Sequence, residues 1–465
     1  MPTSAVLYIG ESFAEIGLVT DQKLGPVRRW YLGRDSLPKA VTQFLTEHNQ
    51  TPLSELVVAS KSLHGVLRRR LGSAPAFLVT SGFEQWLTMN RPVKQAHFTV
   101  AAERVSSILE NNLVFGISER MSPDGKSEKA VEVADLEFLA AKLKLNKVEE
   151  VAVGLVHANM NPAHEQLVGQ FLRDQGFRVH MSYESEGCDY EVARWWTAIT
   201  NAYLGHRHRE MTTELKGALE ASGHSSARLR WLGGSGPLDD TQLDRAPVDS
   251  LFGSLLVLHK WRQKCGVQGL LYLGVEDFFL LDGRWPEKKQ WRSDFGPVAV
   301  THPGFVRCEM QATQLVLKTF WGSAGFDHVE GGFEPGPMSL GKGLVPQCLD
   351  ILWIQDRLGE IPGFSERLSE KAKGRIEEAL TALGRQSGGA ARPPSPKDMA
   401  VGLEWEAARR LAAQVPVGTG EVLVCGPLAN ALQPCLESAL KSMGIKPEWA
   451  GGGPVMMTAL AEWCE

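Results

Sequence analysis

The chain lacks any long hydrophobic run. A helix that crosses a bilayer needs about 20 consecutive apolar residues, and no stretch of these 465 residues approaches that. Cysteine is sparse and badly arranged for cross-linking or zinc. There are seven, an odd number, with no Cys-x-x-Cys pair, which argues against a disulfide framework or a thiolate metal site. Such thiols read as reduced and buried. Positive charge is also short, with 49 Lys and Arg against 54 Asp and Glu. The one dense basic patch, Arg68-Arg69-Arg70, reads as a solvated helix face, so nucleic acid is not an expected partner. The first apolar strand begins within a few residues of Met1, which leaves no space for a charged segment followed by an apolar one. The expectation is a soluble, cytoplasmic chain that no membrane holds.

What the chain does have is one short phrase used twice. It reads Leu7-Tyr8-Ile9-Gly10-Glu11-Ser12 and runs through Glu15 into Ile16-Gly17-Leu18-Val19. Past the middle it reads Leu271-Tyr272-Leu273-Gly274-Val275-Glu276-Asp277 and runs into Phe278-Phe279-Leu280-Leu281. Each copy is a strand, a glycine-centred turn with acidic residues and a second strand, which predicts a β-hairpin. Two such hairpins far apart in one chain predict two related lobes with a ligand cleft between them.

The remaining pattern is α/β. Val27 to Leu32 predicts a third antiparallel strand, and residues 36 to 49 a helix with Val41, Phe44 and Leu45 on one face. Alternating strands and helices follow, with Val151 to Val156 as a buried strand and Pro162 to Asp174 as a helix. Glu191 to Leu219 reads as one long helix or two joined, bridging toward the second lobe. The run Gln386 to Pro396, rich in Gly, Ser and Pro, predicts a mobile linker. The expected division is a first lobe over 1–205, a second over 206–385, a linker over 386–398, and C-terminal helices and a strand over 399–465 completing the second lobe.

Several stretches then resemble one family in that family's order. Phe77-Leu78-Val79-Thr80-Ser81-Gly82-Phe83 with Arg91-Pro92, Glu119-Arg120 ahead of Gly125, and Val151-Ala152-Val153 with Leu155-Val156-His157 are three of them. Asn161-Pro162-Ala163-His164-Glu165 and the helix Glu191-x-x-Arg194-x-x-Thr197-x-x-x-Asn201-Ala202-Tyr203 complete the specific block. Weaker traces are Glu334-Pro335-Gly336-Pro337 and Leu344 to Leu358. These resemble the hydantoinase A/5-oxoprolinase proteins of the actin-like ATPase superfamily. The resemblance implies a two-lobed, ribonuclease H-like fold with duplicated βββαβαβα lobes, use of ATP and magnesium, and a companion subunit or homo-oligomer.

The chain departs from the family where the family does its chemistry. Each family lobe opens with Asp-x-Gly-Gly-Thr-x-x-Asp, whose acids hold hydrated magnesium and whose glycines face the phosphates. Here the first lobe has Tyr8-x-Gly10-Glu11-Ser12-x-x-Glu15 and the second Tyr272-x-Gly274-Val275-Glu276-x-x-Phe279. A phenol is neutral at pH 7 and a poor ligand for a hard cation. A side chain in place of the second glycine obstructs the approach of phosphate to backbone amides. The expectation is a divergent member that no longer hydrolyses ATP and acts as a structural or regulatory subunit. The alternatives are an active ATP-dependent hydrolase of a cyclic amide, of hydantoin or 5-oxoproline type, or a related carboxylase subunit, and a small-ligand binding module in the cleft.

Other candidates lie outside the phosphate turns. His157, His164 and Glu165 follow one strand and can bind a metal or move a proton, against the plainer reading of a helix cap and a core histidine. Glu191, Arg194 and Asn201 read as a structural set along one helix, the first two as an ion pair and Asn201 across the gap between lobes. His206-Arg207-His208 reads as exposed polar surface, because residues two apart on a helix face different ways. Gly451-Gly452-Gly453 before the last helix can cradle an anion, or simply pack closely.

Overall fold

The structure, a computed structural model, is mixed α/β. It describes residues 3–10, 12–32, 36–48, 52–89, 107–185, 188–275, 277–281, 290–293, 296–300, 306–311, 337–341, 346–361, 368–386, 394–416, 418–450 and 454–464. Glu11, Glu276, Gly451 to Gly453, Arg91-Pro92, Glu334 to Gly336 and most of the expected linker lie outside the described residues. Six of the residues expected in the linker are described, Gln386 and Pro394 to Asp398, and the last three already belong to the helix Pro396–Ala412, which Ser395 caps by accepting a bond from the Asp398 amide.

The chain opens with β1 (Thr3–Ile9), β2 (Phe13–Thr20), β3 (Lys23–Tyr31), α1 (Leu37–Glu47) and β4 (Leu53–Ser60). After α2 (Ser62–Arg69) come β5 (Ala76–Thr80), α3 (Trp86–Met89), β6 (Val114–Ile117), β7 (Arg120–Met121) and β8 (Ser127–Lys129). Then follow α4 (Val133–Leu145), β9 (Glu150–Gly154), α5 (Ala163–Asp174), β10 (Arg178–Met181) and the long α6 (Glu191–Ala221). The second half contains β11 (Arg228–Gly233), β12 (Gly236–Leu238), α7 (Asp240–Arg245), α8 (Gly253–Cys265), β13 (Gly269–Leu273) and β14 (Asp277–Leu281). Its remaining strands are β15 (Gln290–Ser293), β16 (Gly296–Ala299), β17 (Val306–Gln311), β18 (Glu421–Cys425) and β19 (Lys446–Trp449).

Two sheets share one plan. The first has the order β12-β11-β4-β1-β2-β3 and the second β17-β14-β13-β18-β19. In each, the opening hairpin is antiparallel, a third strand joins antiparallel, and two later strands add in parallel on the other side. The repeated phrase is therefore the start of a repeated sheet. β1 is buried along its whole length because it is central, with β2 on one side and β4 on the other.

The division expected at residues 205 and 206 does not follow the sheets. That boundary falls inside α6, and β11 returns beyond it to pair in parallel with β4 of the first sheet. A four-stranded sheet, β10-β9-β5-β6, intervenes in sequence between β4 and β11. All its pairings are parallel, and a core around Leu78, Leu136, Val153 and Leu172 belongs to it alone. It is an inserted α/β unit, whereas the sequence pattern ran it on as part of the first lobe.

Helix α6 joins the parts. Thr197 Oγ1 accepts from the Ala299 amide at 2.7 Å, and Asn201 Oδ1 from the Val248 amide at 3.0 Å. A Cβ on Gly154 would come 2.4 Å from the Trp195 ring, so glycine there lets β9 lie directly on the helix. The two large lobes also share apolar packing. Tyr8 of β1 and Tyr272 and Phe279 of the second hairpin fall in one buried cluster. Phe13 of the first hairpin packs with Leu271 and Leu273 of the second lobe.

Candidate functional site

The two hairpins meet tip to tip. Tyr8, Gly10, Ser12, Phe13, Glu15 and Arg29 of the first lobe face Tyr272, Gly274, Val275 and Pro427 of the second. The space left to the centre of a water-sized sphere is ≈ 20 Å³, enough for about one water molecule. The turns themselves are tight. The Gly10 amide donates to Phe13 O at 2.9 Å, and a Cβ on Gly10 would meet that same oxygen at 2.9 Å. Gly426, at the end of β18, has φ 106° and admits no Cβ, since one would lie 2.5 Å from Leu273 O.

Both tyrosines are buried, Tyr8 at 5% and Tyr272 at 2% exposure. Their antiparallel partners differ: Tyr8 lies opposite Glu15 and Tyr272 opposite Phe279. Glu15, the one acid of the family pattern retained in the first lobe, is already neutralised. Arg29, beside it on β3, donates from Nε to Glu15 Oε1 at 2.7 Å and adds an Nη2 contact to the same oxygen. In the second lobe a cation again sits at the hairpin. Lys61, 1% exposed at the end of β4, places Nζ 3.7 Å from the Phe279 ring centroid. Asp277 begins β14.

These residues do not fit a magnesium–triphosphate group. Among the described residues the phenols replace the expected acids and Arg29 occupies the remaining carboxylate. Arg29 and Lys61 are the features that the sequence reading missed. The hairpin register was the available signal for Arg29, since it places that side chain directly across from Glu15.

The second candidate set divides in two at the end of β9. Glu165 is fully buried and accepts from the Leu155 amide at 2.7 Å, Ser182 Oγ at 2.6 Å and the Tyr183 amide at 3.0 Å. Burial pushes its carboxyl up to about 7, against the pull of those three donors and of Arg194. Arg194, 1% exposed, donates to Ser182 Oγ at 3.2 Å and Asn159 Oδ1 at 3.4 Å, and its Nη2 lies 3.9 Å from Glu191. His157 takes a positive φ of 59° and lies 3.6 Å from the same Glu191 oxygen. It is half-buried, so the core-histidine alternative does not describe it. Nor does Glu165 cap α5, because its oxygens are taken by the Leu155, Ser182 and Tyr183 donors.

His164 belongs to a different group. Its Nδ1 lies 2.7 Å from Glu119 Oε2 and its Nε2 2.9 Å from Ser127 Oγ. The structure therefore separates His157 from His164, and among the described residues no three His, Cys, Asp or Glu side chains gather to hold a metal. Asn201 is buried and spent on the Val248 amide. One expectation is corrected at His208, which is not surface. It is 2% exposed and lies 4.6 Å from the Trp231 ring, and burial pushes its imidazole down to about 4. The two-residue offset that puts His206 outside turns His208 inward.

The fold is mixed α/β, with two sheets of one plan and their opening hairpins facing one another. Residues 38–176 match the family model described as the hydantoinase/oxoprolinase N-terminal region. The acetophenone carboxylase gamma subunit of Aromatoleum aromaticum is 24% identical over 355 residues, 71% of this chain and 47% of its own length. The chain thus spans about half of that curated relative. Among solved structures, nucleotide-free acetone carboxylase superposes with a TM-score of 0.68 at 15% identity, covering 99% of this chain and 70% of that one. The ATP-dependent caprolactamase from Pseudomonas jessenii gives 0.67 at 17% identity, covering 98% and 70%. At such identities these two structures speak for the fold. Among the described residues no helix is long and apolar enough to cross a membrane.

Proposed function

We propose that this chain is a hydantoinase/oxoprolinase-type subunit whose nucleotide cleft has become a packed interface, and that it serves an assembly structurally or as a regulator. One observation carries the reading: among the described residues both hairpins bring a buried tyrosine into the space between them, where the resemblance puts a metal-holding acid. A cleft that turns over ATP must open to admit polyphosphate and present carboxylates to its cation. Here shared apolar packing and the Glu15–Arg29 pair take both roles out of use. The curated relative named as a gamma subunit supports a companion chain for this one.

The organisation proposed with it is two lobes, with the parallel four-stranded unit inserted into the first and α6 as the strut. The test has two arms. Purified full-length chain with Mg-ATP is expected to release no phosphate above a Tyr8→Phe/Tyr272→Phe control. Chain isolated from its own cells is expected to bring a stoichiometric companion. Turnover of ATP against a cyclic amide, or a lone monomer in the second arm, would replace this reading with that of an enzyme or a ligand module.

A further inference from the structure

On the inserted unit, three residues from separate stretches stand in line. Ser127 opens β8, His164 lies in the first turn of α5, and Glu119 lies between β6 and β7. Ser127 Oγ is 2.9 Å from His164 Nε2, and His164 Nδ1 is 2.7 Å from Glu119 Oε2. The neighbouring bonds fix where the protons sit. Thr80 Oγ1 accepts from the Val156 amide at 3.0 Å, so its hydroxyl donates to Glu119 Oε1 at 2.5 Å. Glu119 is then an acceptor on both oxygens, and Nδ1 carries the imidazole proton. In the neutral imidazole Nε2 is then left with its lone pair facing the serine hydroxyl.

Exposure is graded along the line. The Glu119 side chain is fully shielded at 0%, the His164 side chain is 11% exposed, and Ser127 is exposed. A nucleophile relay needs that gradient, with the orienting acid dry, the base at the wall and the hydroxyl within reach of substrate. The hairpin bearing Ser127 is pinned as well. Asn161 Nδ2, just ahead of α5, donates to Gly125 O at 2.9 Å, and the Ser122 and Lys126 backbones close the turn at 2.9 Å.

We propose that Ser127, His164 and Glu119 form a serine-nucleophile site that hydrolyses unhindered carboxylic esters approaching from solvent. In the first step Ser127 Oγ bonds to the acyl carbon and its proton passes to His164 Nε2. The bond to the leaving oxygen breaks as Nε2 gives that proton to it, so alcohol departs and the acyl group stays on Ser127. Water then attacks the acyl carbon and delivers a proton to Nε2. Ser127 leaves with that proton, and the acid is released. One water is consumed and nothing is oxidised or reduced. This site makes no use of the cleft, so it stands or falls separately from the proposal above.

The experiment is active-site labelling of the full-length chain with a fluorophosphonate, read by intact mass and peptide mapping, alongside hydrolysis of p-nitrophenyl acetate. One adduct per chain on Ser127 is expected. Ser127→Ala, an exposed position that leaves the fold alone, should abolish it. His164→Gln should slow labelling about 10²- to 10⁴-fold. Circular dichroism and melting of each variant confirm that it is folded. No adduct on the folded wild-type chain, or the same labelling in Ser127→Ala, would overturn the proposal.

Discussion

At the first hairpin Tyr8 faces Glu15, which Arg29 neutralises; at the second Tyr272 faces Phe279, whose ring carries the Lys61 ammonium from the other lobe. The backbones follow one plan, with the same order of strands and the same pairing senses, and yet the charges are arranged differently. A backbone frame constrains which positions approach one another, while the side chains at those positions can be replaced. In the first lobe the residual carboxylate keeps a cation of its own lobe. In the second the polar position has become aromatic, and the cation arrives from across the interface. The first solution ties two strands of one lobe, and the second ties one lobe to the other.

That asymmetry can be broken from either side, and the largest effects belong to the buried cores of the two solutions. Arg29→Ala strands Glu15 as an uncompensated buried charge, at an expected cost of about 3–5 kcal/mol by chemical denaturation. Phe279→Ala removes a fully buried ring and leaves a cavity beneath Lys61, with a similar cost of about 3–5 kcal/mol. If only one of the two destabilises the chain, the hairpins are not equivalent locks.

The inserted unit gives the next effect, through its buried Glu165 carboxyl. Glu165 has its carboxyl raised to about 7 from 4.5. The folded state therefore holds a proton that the unfolded chain releases. Its contribution is fully present below about pH 4.5 and is lost as pH rises through about 7, on the order of 3 kcal/mol in all. Glu165→Gln should be less stable at pH 5 than the wild type, since its amide cannot satisfy all three donors. Its stability should also vary less between pH 5 and pH 8. Denaturant midpoints at the two pH values measure both differences.

Smaller effects sharpen the contrast. Tyr8→Phe and Tyr272→Phe should each cost about 1 kcal/mol, the scale of one buried hydroxyl's bonds, and should leave any response to nucleotide unchanged. Arg28→Ala, on the same strand as Arg29, removes an exposed pair with Glu47 of α1 and should cost the least of these changes. Adjacent arginines on β3 thus bracket the range from surface to buried.

Much of the frame was legible in the chain. The hairpins announce themselves through alternating strand-formers around a glycine, and their repetition carries the duplication. Membership of a sheet was not legible, because β5 and β9 have the same local pattern as β4 and differ only in which strand they pair with. The divided fate of His157 and His164 was hidden for a related reason. They are close in sequence, but the turn at His157 and the start of α5 send them to opposite groups. Ser127 gave no signal at all, sitting in a three-residue exposed strand whose meaning depends on Glu119 and His164 folding against it. Arg29 was hidden in a strand that looked like an ordinary polar edge, though its register with Glu15 placed it. His208 was misread because exposure was assigned to a whole run instead of residue by residue around the helix.

The closure of the interlobe cleft is tested most directly by titrating the full-length chain with Mg-ATP in a calorimeter and repeating the melt at 1 mM nucleotide. The account predicts no binding heat and an unchanged melting temperature with or without magnesium. Magnesium-dependent binding at micromolar affinity or tighter, with the corresponding stabilisation of about 4 kcal/mol at a thousandfold excess over Kd, would contradict it.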